Sequence, residues 1–196
     1  MKKNLILASS SPRRKLLLEQ LGISFKIVPP FIDEAVLSGE APEIHVTRLA
    51  QQKAQSIIKG NFGDKIVLAA DTIVVSQGKI LGKPYSKEHC VSTLKELSDS
   101  KHEVLTGVSI RGKNKTKTFY VRTEVSFRSI SLKEIEWYWK TGEPLDKAGS
   151  YGLQGVGAAF VRTLTGSYSN VIGLPISETV LALRGFSVEC LGEIRC

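Results

Sequence analysis

Two periods of apolar and polar residues run along this chain, and the switches between them lay out its elements. Leu5-Ile6-Leu7-Ala8 is an unbroken apolar run, the pattern of a short buried strand. Three serines break it, and Pro12 pre-sets φ for the first turn of a helix. Ser11 is the expected N-cap, and Leu16, Leu17, Leu18 and Leu21 carry the helix to Gly22. Residues 25–28 read as a second strand closed by Pro29-Pro30, and 31–41 as a polar loop. A helix is expected from Pro42 to about Lys59, with Val46, Leu49, Ala50, Ala54, Ile57 and Ile58 along one stripe. Residues 65–75 form the strongest strand, followed by a turn and the short strand Ile80-Leu81. Ser86 caps a helix whose inner face carries Val91, Leu94 and Leu97.

The remaining pattern is equally definite. Residues 104–110 and 119–127 predict a long hairpin. In its second arm Phe119, Val121, Thr123, Val125 and Phe127 face one side, and Tyr120, Arg122, Glu124, Ser126 and Arg128 the other. Ser131 and Glu134 form a capping box for a helix carrying Leu132, Ile135, Tyr138 and Trp139 to Gly142. Residues 158–164 read as a strand and 166–170 as a turn. A last helix runs to about Arg184, and 186–190 read as a closing strand. Helices and strands intermingle without a strict βαβ rhythm, which predicts a mixed α/β fold: a mixed sheet flanked by helices. The length could hold one large domain or two small ones, and a single domain over 1–196 is expected.

Composition changes this picture little. The chain is 42% hydrophobic and 23% charged, ordinary for a globular protein. The longest apolar stretch, 66–75, is interrupted by Asp71 and Thr72 and is too short to span a membrane. Two lysines and four apolar residues are too little for a signal peptide, so an intracellular protein is expected. Cys90, Cys190 and Cys196 and the three histidines lack metal-ligand spacing. A net charge of +8 points to anionic partners. Its densest cluster, between Arg111 and Lys117, has no interleaved aromatics and reads as a solvated hairpin turn rather than a nucleic-acid surface.

The chemistry concentrates elsewhere. A strand delivers Ser9, Ser10, Ser11, Arg13 and Arg14 to the positive end of a helix, where anions bind. Arginines there oppose the dipole, which a bound anion would offset; an ordinary solvated first turn is the alternative. Lys53 falls inside the apolar stripe of its helix, either snorkelling at the edge or meeting a partner. Asp71 interrupts the strongest strand and needs a cation, backbone amides or a metal ion if it is buried. Gly82-Lys83-Pro84 places a lysine on a rigid loop. Residues 143–157, rich in glycine and mixed charge, read as a binding loop.

Together these stretches resemble the Maf family, the septum-formation-inhibitor-like nucleoside triphosphate pyrophosphatases. The resemblance rests on SSSPRR at 9–14, DE at 33–34, LAQQKA at 49–54, AADTIV at 69–74, GKP at 82–84 and HEVLTGV at 102–108. It continues through TEVSFR at 123–128, GEPLDKAGSYGLQG at 142–155, GSYSNVIGLP at 166–175 and SET at 177–179. It implies an elongated central sheet with two lobes around a cleft, a cytoplasmic homodimer, and hydrolysis of a nucleoside triphosphate to monophosphate and pyrophosphate. A divalent cation, magnesium or manganese, is implied as cofactor. By resemblance Asp71 is the general base, Glu34 and Asp71 form the metal environment, and Ser9, Arg13, Arg14, Lys53 and Lys83 hold phosphates. Arg13, Thr72 and Gln154 look like the branch acting on dTTP and UTP rather than on 7-methyl-GTP. Modified pyrimidine triphosphates are a related substrate class. A non-catalytic phosphate- or nucleic-acid-binding regulator of cell division is the reading from another class, and the acids at Glu34 and Asp71 argue against it.

Overall fold

A computed structural model describes residues 5–58 and 65–191. In chain order these form β1 (Leu5–Ala8), α1 (Pro12–Gln20), β2 (Phe25–Ile27), α2 (Pro42–Ile58), β3 (Ile66–Ser76), β4 (Lys79–Leu81), α3 (Lys87–Leu97), β5 (Lys101–Arg111), β6 (Thr116–Phe127) and α4 (Leu132–Lys140). Three short 3-10 turns follow at Glu143–Asp146, Ala148–Ser150 and Val156–Phe160, then β7 (Val161–Thr165), α5 (Tyr168–Ile172) and α6 (Ile176–Arg184). The sheet is mixed and seven-stranded, ordered β2-β1-β3-β5-β6-β7, with β4 paired to β3. β1 lies parallel to β2 and to β3 in the register Leu5–Ile66 to Ala8–Ala69, while β4 and β7 pair antiparallel with β3 and β6. The expected mixed α/β class is therefore the one found.

Two compact units divide the chain, and β3, β5 and β6 each contribute to both. The first takes in the residues up to Asp71, Thr106–Val121, and those from Gly173 on. Its core joins Ile6 and Ala8 of β1, Ala54 and Ile57 of α2, and Val67 and Ala69 of β3. α2 lies flush on the sheet because β5 carries Gly107: a Cβ there would stand 2.2 Å from the Val46 carbonyl oxygen. That obstacle is helix backbone, so a side chain at 107 could be admitted only by lifting α2.

The second unit takes in Thr72–Leu105 and Arg122–Ile172. Leu94 and Leu97 of α3, Ile135 and Tyr138 of α4, and Val125 and Phe127 of β6 meet in its core. The Ser131–Glu134 capping box forms as expected. His102 is 2% exposed, packed edge-on to Phe127 and Tyr151, with Nε2 2.8 Å from the Tyr151 hydroxyl. Burial pushes the His102 imidazole down to about 4. The folded state thus resists a proton that the unfolded chain accepts near pH 6.5, and stability is lost as pH falls from about 6.5 to about 4. The expected loss by pH 4 is roughly 3 kcal/mol. Urea unfolding of the wild type and of His102→Gln across this window checks it: the variant's midpoint should fall less steeply with acid.

Several sequence expectations are corrected. Ser11 stands at the N-cap of α1, but its side chain makes no cap hydrogen bond. Leu16 and Leu132 point outward, at 49% and 47% exposure. The strand expected at 158–164 begins only at Val161, because 156–160 tighten into a 3-10 turn, and the turn expected at 166–170 is partly the helix α5. Residues 186–190 form a turn and coil rather than a strand. Their alternation of buried Phe186, Val188 and Cys190 is real, yet among the described residues they pair with no strand. Cys90 and Cys190 are buried thiols. Lys59 and Cys196 lie outside the described residues.

Candidate active site

The end of β1 and the start of α1 form an arginine-anchored turn. Ser9 is buried, and its Oγ accepts hydrogen bonds from the Ser11 backbone N–H at 3.2 Å and from Arg14 Nη1 at 3.1 Å. Arg14 Nε donates to the Gly173 carbonyl at 2.8 Å. Gly173 holds φ at +128°, a conformation side-chain-bearing residues rarely adopt. Burial draws the Arg14 guanidinium below its ordinary value; Asp71 and Glu34 pull it back up and Arg13 pushes it down. Those causes place Arg13, Arg14, Glu34 and Asp71 within one electrostatic neighbourhood. No acidic side chain occupies the first turn of α1, and the start of a helix is electrostatically favourable to negative charge.

α2 brings Lys53 to Asp71. Lys53 does not snorkel: it is 5% exposed, and its Nζ donates to Asp71 Oδ1 at 2.7 Å. Asp71, 7% exposed on β3, has the cationic partner its burial demands. The same Nζ lies 2.6 Å from Glu34 Oε1, whose side chain is 54% exposed. One ammonium therefore holds two carboxylates, one buried and one facing solvent. Ser9, Arg13, Arg14, Glu34, Lys53 and Asp71 all belong to the first unit, and the fold brings them together.

The loop carrying Glu34 is secured by residues that sequence reasoning missed. The Glu40 side chain is 4% exposed and accepts from Arg48 Nε and Nη2 at 2.6 and 2.7 Å. It also accepts from the Leu37 N–H and lies 2.9 Å from His45 Nδ1. The Arg48 guanidinium, aided by His45 and the Leu37 amide against the cost of burial, holds the Glu40 carboxyl at about 2. Glu40 lies in the irregular segment before α2, where no period links it to Arg48, so only its acidity was visible in the sequence.

Lys83, Thr72 and Gln154 belong to the second unit. Thr72 follows Asp71 on β3 and is half-buried, while Lys83 and Gln154 are exposed on loops. Those two loops are joined where the Gly149 N–H donates to the Gly82 carbonyl at 3.1 Å. The stretch 143–157 is less of an open loop than its polarity implied, since Ser150 and Tyr151 are buried. Glu143 staples it. One carboxylate oxygen accepts from the Tyr138 hydroxyl at 2.9 Å and the Gly157 N–H at 3.1 Å, and the other from the Val156 N–H at 2.8 Å.

Residues 4–186 match the family model described as Maf-like protein. The chain is 51% identical over 189 residues to the dTTP/UTP pyrophosphatase of Halalkalibacterium halodurans, spanning 95% of this chain and 99% of that one. It is 45% identical over 178 residues to a protein of that name from Acinetobacter baylyi, spanning 91% and 97%, and 48% identical over 187 residues to one from Bacillus anthracis, spanning 95% and 97%. Its fold resembles those of the Ham1 protein of Staphylococcus aureus (TM-score 0.50, 15% identity, 94% and 100% of the two chains) and a HAM1 protein of Coxiella burnetii (TM-score 0.52, 14% identity, 93% and 98%).

Proposed function

Because the chain belongs to the Maf-like protein family, we propose that it is a nucleoside triphosphate pyrophosphatase that hydrolyses dTTP and UTP to the monophosphate and pyrophosphate. The observation that carries the chemistry is the Lys53 ammonium held between Asp71 and Glu34, in the field of Arg14. A triphosphate is a concentrated anion, and its cleavage is chiefly a matter of positioning and charge neutralisation. In this reading Ser9, Arg13, Arg14 and the first-turn N–H groups of α1 bind phosphate oxygens, and Lys53 and Lys83 add point charges. Asp71 accepts a proton from water. The water oxygen joins a phosphoryl group, the anhydride bond between the α- and β-phosphates breaks, and pyrophosphate leaves. Lys53 orients the Asp71 carboxylate for that transfer and covers its apolar surroundings.

A divalent cation fits the donor set. Among the described residues no group of three or more His, Cys, Asp or Glu is placed to hold a metal ion, so an all-protein cage is not what the fold offers. Two carboxylates meeting at one cation, one of them largely exposed, are the donors magnesium takes when substrate phosphates and water complete its shell. Glu34 and Asp71 would hold magnesium or manganese, which would neutralise phosphate charge.

Thr72 and Gln154 read the base in this proposal, the Gln154 amide pairing with the O4 and N3 edge shared by thymine and uracil. Gln154→Ala is expected to relax the preference for dTTP and UTP more than it slows either substrate, since it removes the amide that matches the base edge. Comparison of kcat/KM across triphosphates checks this, and unchanged selectivity would remove Gln154 from the assignment. The family resemblance is the ground for a cytoplasmic homodimer, with neither a membrane nor nucleic acid as partner. No helix among the described residues is long and apolar enough to cross a membrane. The deciding experiment is pyrophosphate release from canonical and modified triphosphates with magnesium, manganese or chelator. Metal-dependent release strongest with dTTP and UTP is expected. Strongest release from modified pyrimidines would redirect the physiological substrate, and none from any triphosphate would overturn the enzyme.

A further inference from the structure

Glu34 occupies a precarious position for a residue that meets a buried ammonium. It sits on residues 28–41, a segment without helix or strand, and its side chain is more than half exposed. An irregular segment of that length holds one conformation only if side chains tie it down. Within the segment itself the ties are short-range: the Ala35 N–H to Asp33 Oδ1 at 2.9 Å, and the Glu40 N–H to the Leu37 carbonyl at 3.1 Å.

Arg48 supplies the anchor. Its Nη2 donates to the Ala35 carbonyl at 3.0 Å, on the residue next to Glu34, and also to Glu40 Oε2 at 2.7 Å. Its Nε donates to Glu40 Oε1 at 2.6 Å, and its Nη1 to Gln52 Oε1 at 3.1 Å. Glu40 in turn accepts from the Leu37 N–H at 3.2 Å and lies 2.9 Å from His45 Nδ1. One planar guanidinium thus grips the segment at residues 35 and 40 and pins both to α2. The same helix carries Lys53, the group that Glu34 meets. Arg48 and Lys53 are one rigid body, so gripping Ala35 sets the distance from the Glu34 carboxylate to the Lys53 ammonium.

We propose that Arg48, with Glu40 as its counter-ion, is a positioning residue that holds Glu34 against Lys53 and Asp71. The Arg48 hydrogen bonds named above go to Ala35, Glu40 and Gln52 rather than to Lys53 or Asp71; Arg48 acts through Glu34. Lysine cannot replace it, because a single ammonium lacks the fork that serves the Ala35 carbonyl and both Glu40 oxygens at once. The consequence for catalysis rests on the pyrophosphatase reading above; the consequence for the segment does not.

The test uses Arg48→Ala, Arg48→Lys and Glu40→Gln, each alone and combined with Glu34→Gln. By amide hydrogen exchange, Leu37 and Glu40 should exchange at least tenfold faster in Arg48→Ala, with β1 and β3 unchanged. With dTTP and magnesium, kcat/KM should fall about 10- to 100-fold, and half-maximal activity should need more metal. Arg48→Lys and Glu40→Gln should fall between this variant and the wild type. In the Glu34→Gln background the Arg48 substitutions should cost less than twofold further. Unchanged exchange at Leu37 and Glu40, or losses that simply add to that of Glu34→Gln, would overturn the proposal. So would faster exchange spread evenly through β1 and β3, since that reports general destabilisation. If the wild type cleaves no triphosphate, the pyrophosphatase reading fails while the exchange result still decides whether Arg48 orders the segment.

Discussion

Asp71→Asn is expected to lower pyrophosphate release by about 10²- to 10⁴-fold, the usual worth of a positioned general base, while the fold persists. Asparagine keeps the shape of aspartate and an oxygen that can accept the Lys53 hydrogen bond. It removes the negative charge and the capacity to take a proton. Lys53 is not stranded by the change, because the Glu34 carboxylate lies 2.6 Å from its Nζ. The thermal midpoint should therefore move by only a few degrees, with dTTP still bound. Steady-state kinetics and a thermal melt on the same preparation make the comparison, and activity within about fivefold of the wild type would remove Asp71 as the base.

Lys53→Met is expected to be the most destabilising substitution at this site. Methionine fills the buried volume of the lysine stem but withdraws the ammonium, leaving the Asp71 carboxylate 7% exposed and without its closest cation. Removing one partner of a buried pair costs about 3–5 kcal/mol. For a chain of this size that corresponds to a fall in Tm on the order of 10 °C. Arg14, which also feels the Asp71 charge, should bring the loss toward the lower end. The double variant Asp71→Asn/Lys53→Met should recover most of it, since no charge is then stranded. Melting curves of the three variants decide the matter, and a double variant no more stable than Lys53→Met would refute a pairwise origin. Turnover should be lost in both lysine variants, which separates the residue's structural and chemical parts.

Much of the fold was legible because it is written in local periods. The stripe of α2 and the unbroken apolar run of β1 needed only the neighbours three, four or two positions away. The capping box at Ser131 is a four-residue signal, and it formed as read. The failures are local rules overruled by tertiary contacts. Ser11 has the chemistry of a cap, but Ser9 receives the hydrogen bonds because Arg14 reaches back to it. Phe186, Val188 and Cys190 alternate like a strand, yet a strand also requires a neighbouring edge to pair with, which a single segment cannot reveal.

The candidate site divides in the same way. Sequence alone marked Lys53 and Asp71 as anomalies, a cation inside an apolar stripe and an anion inside an apolar strand, because each violates the period around it. It also carried the family, since many short motifs in fixed order are far more specific than any one. What only the tertiary structure decided is who meets whom. Lys53 reaches Asp71 across 18 residues and Arg14 reaches the Gly173 carbonyl across 159. Arg48 holds Glu40 from an irregular segment that carries no period of its own. Periodicity reports which face of an element is buried, and that is a property of neighbouring residues. The partner on that face is set by how helices and strands pack, where the cost of burying an unpaired charge selects among arrangements that local pattern leaves equivalent.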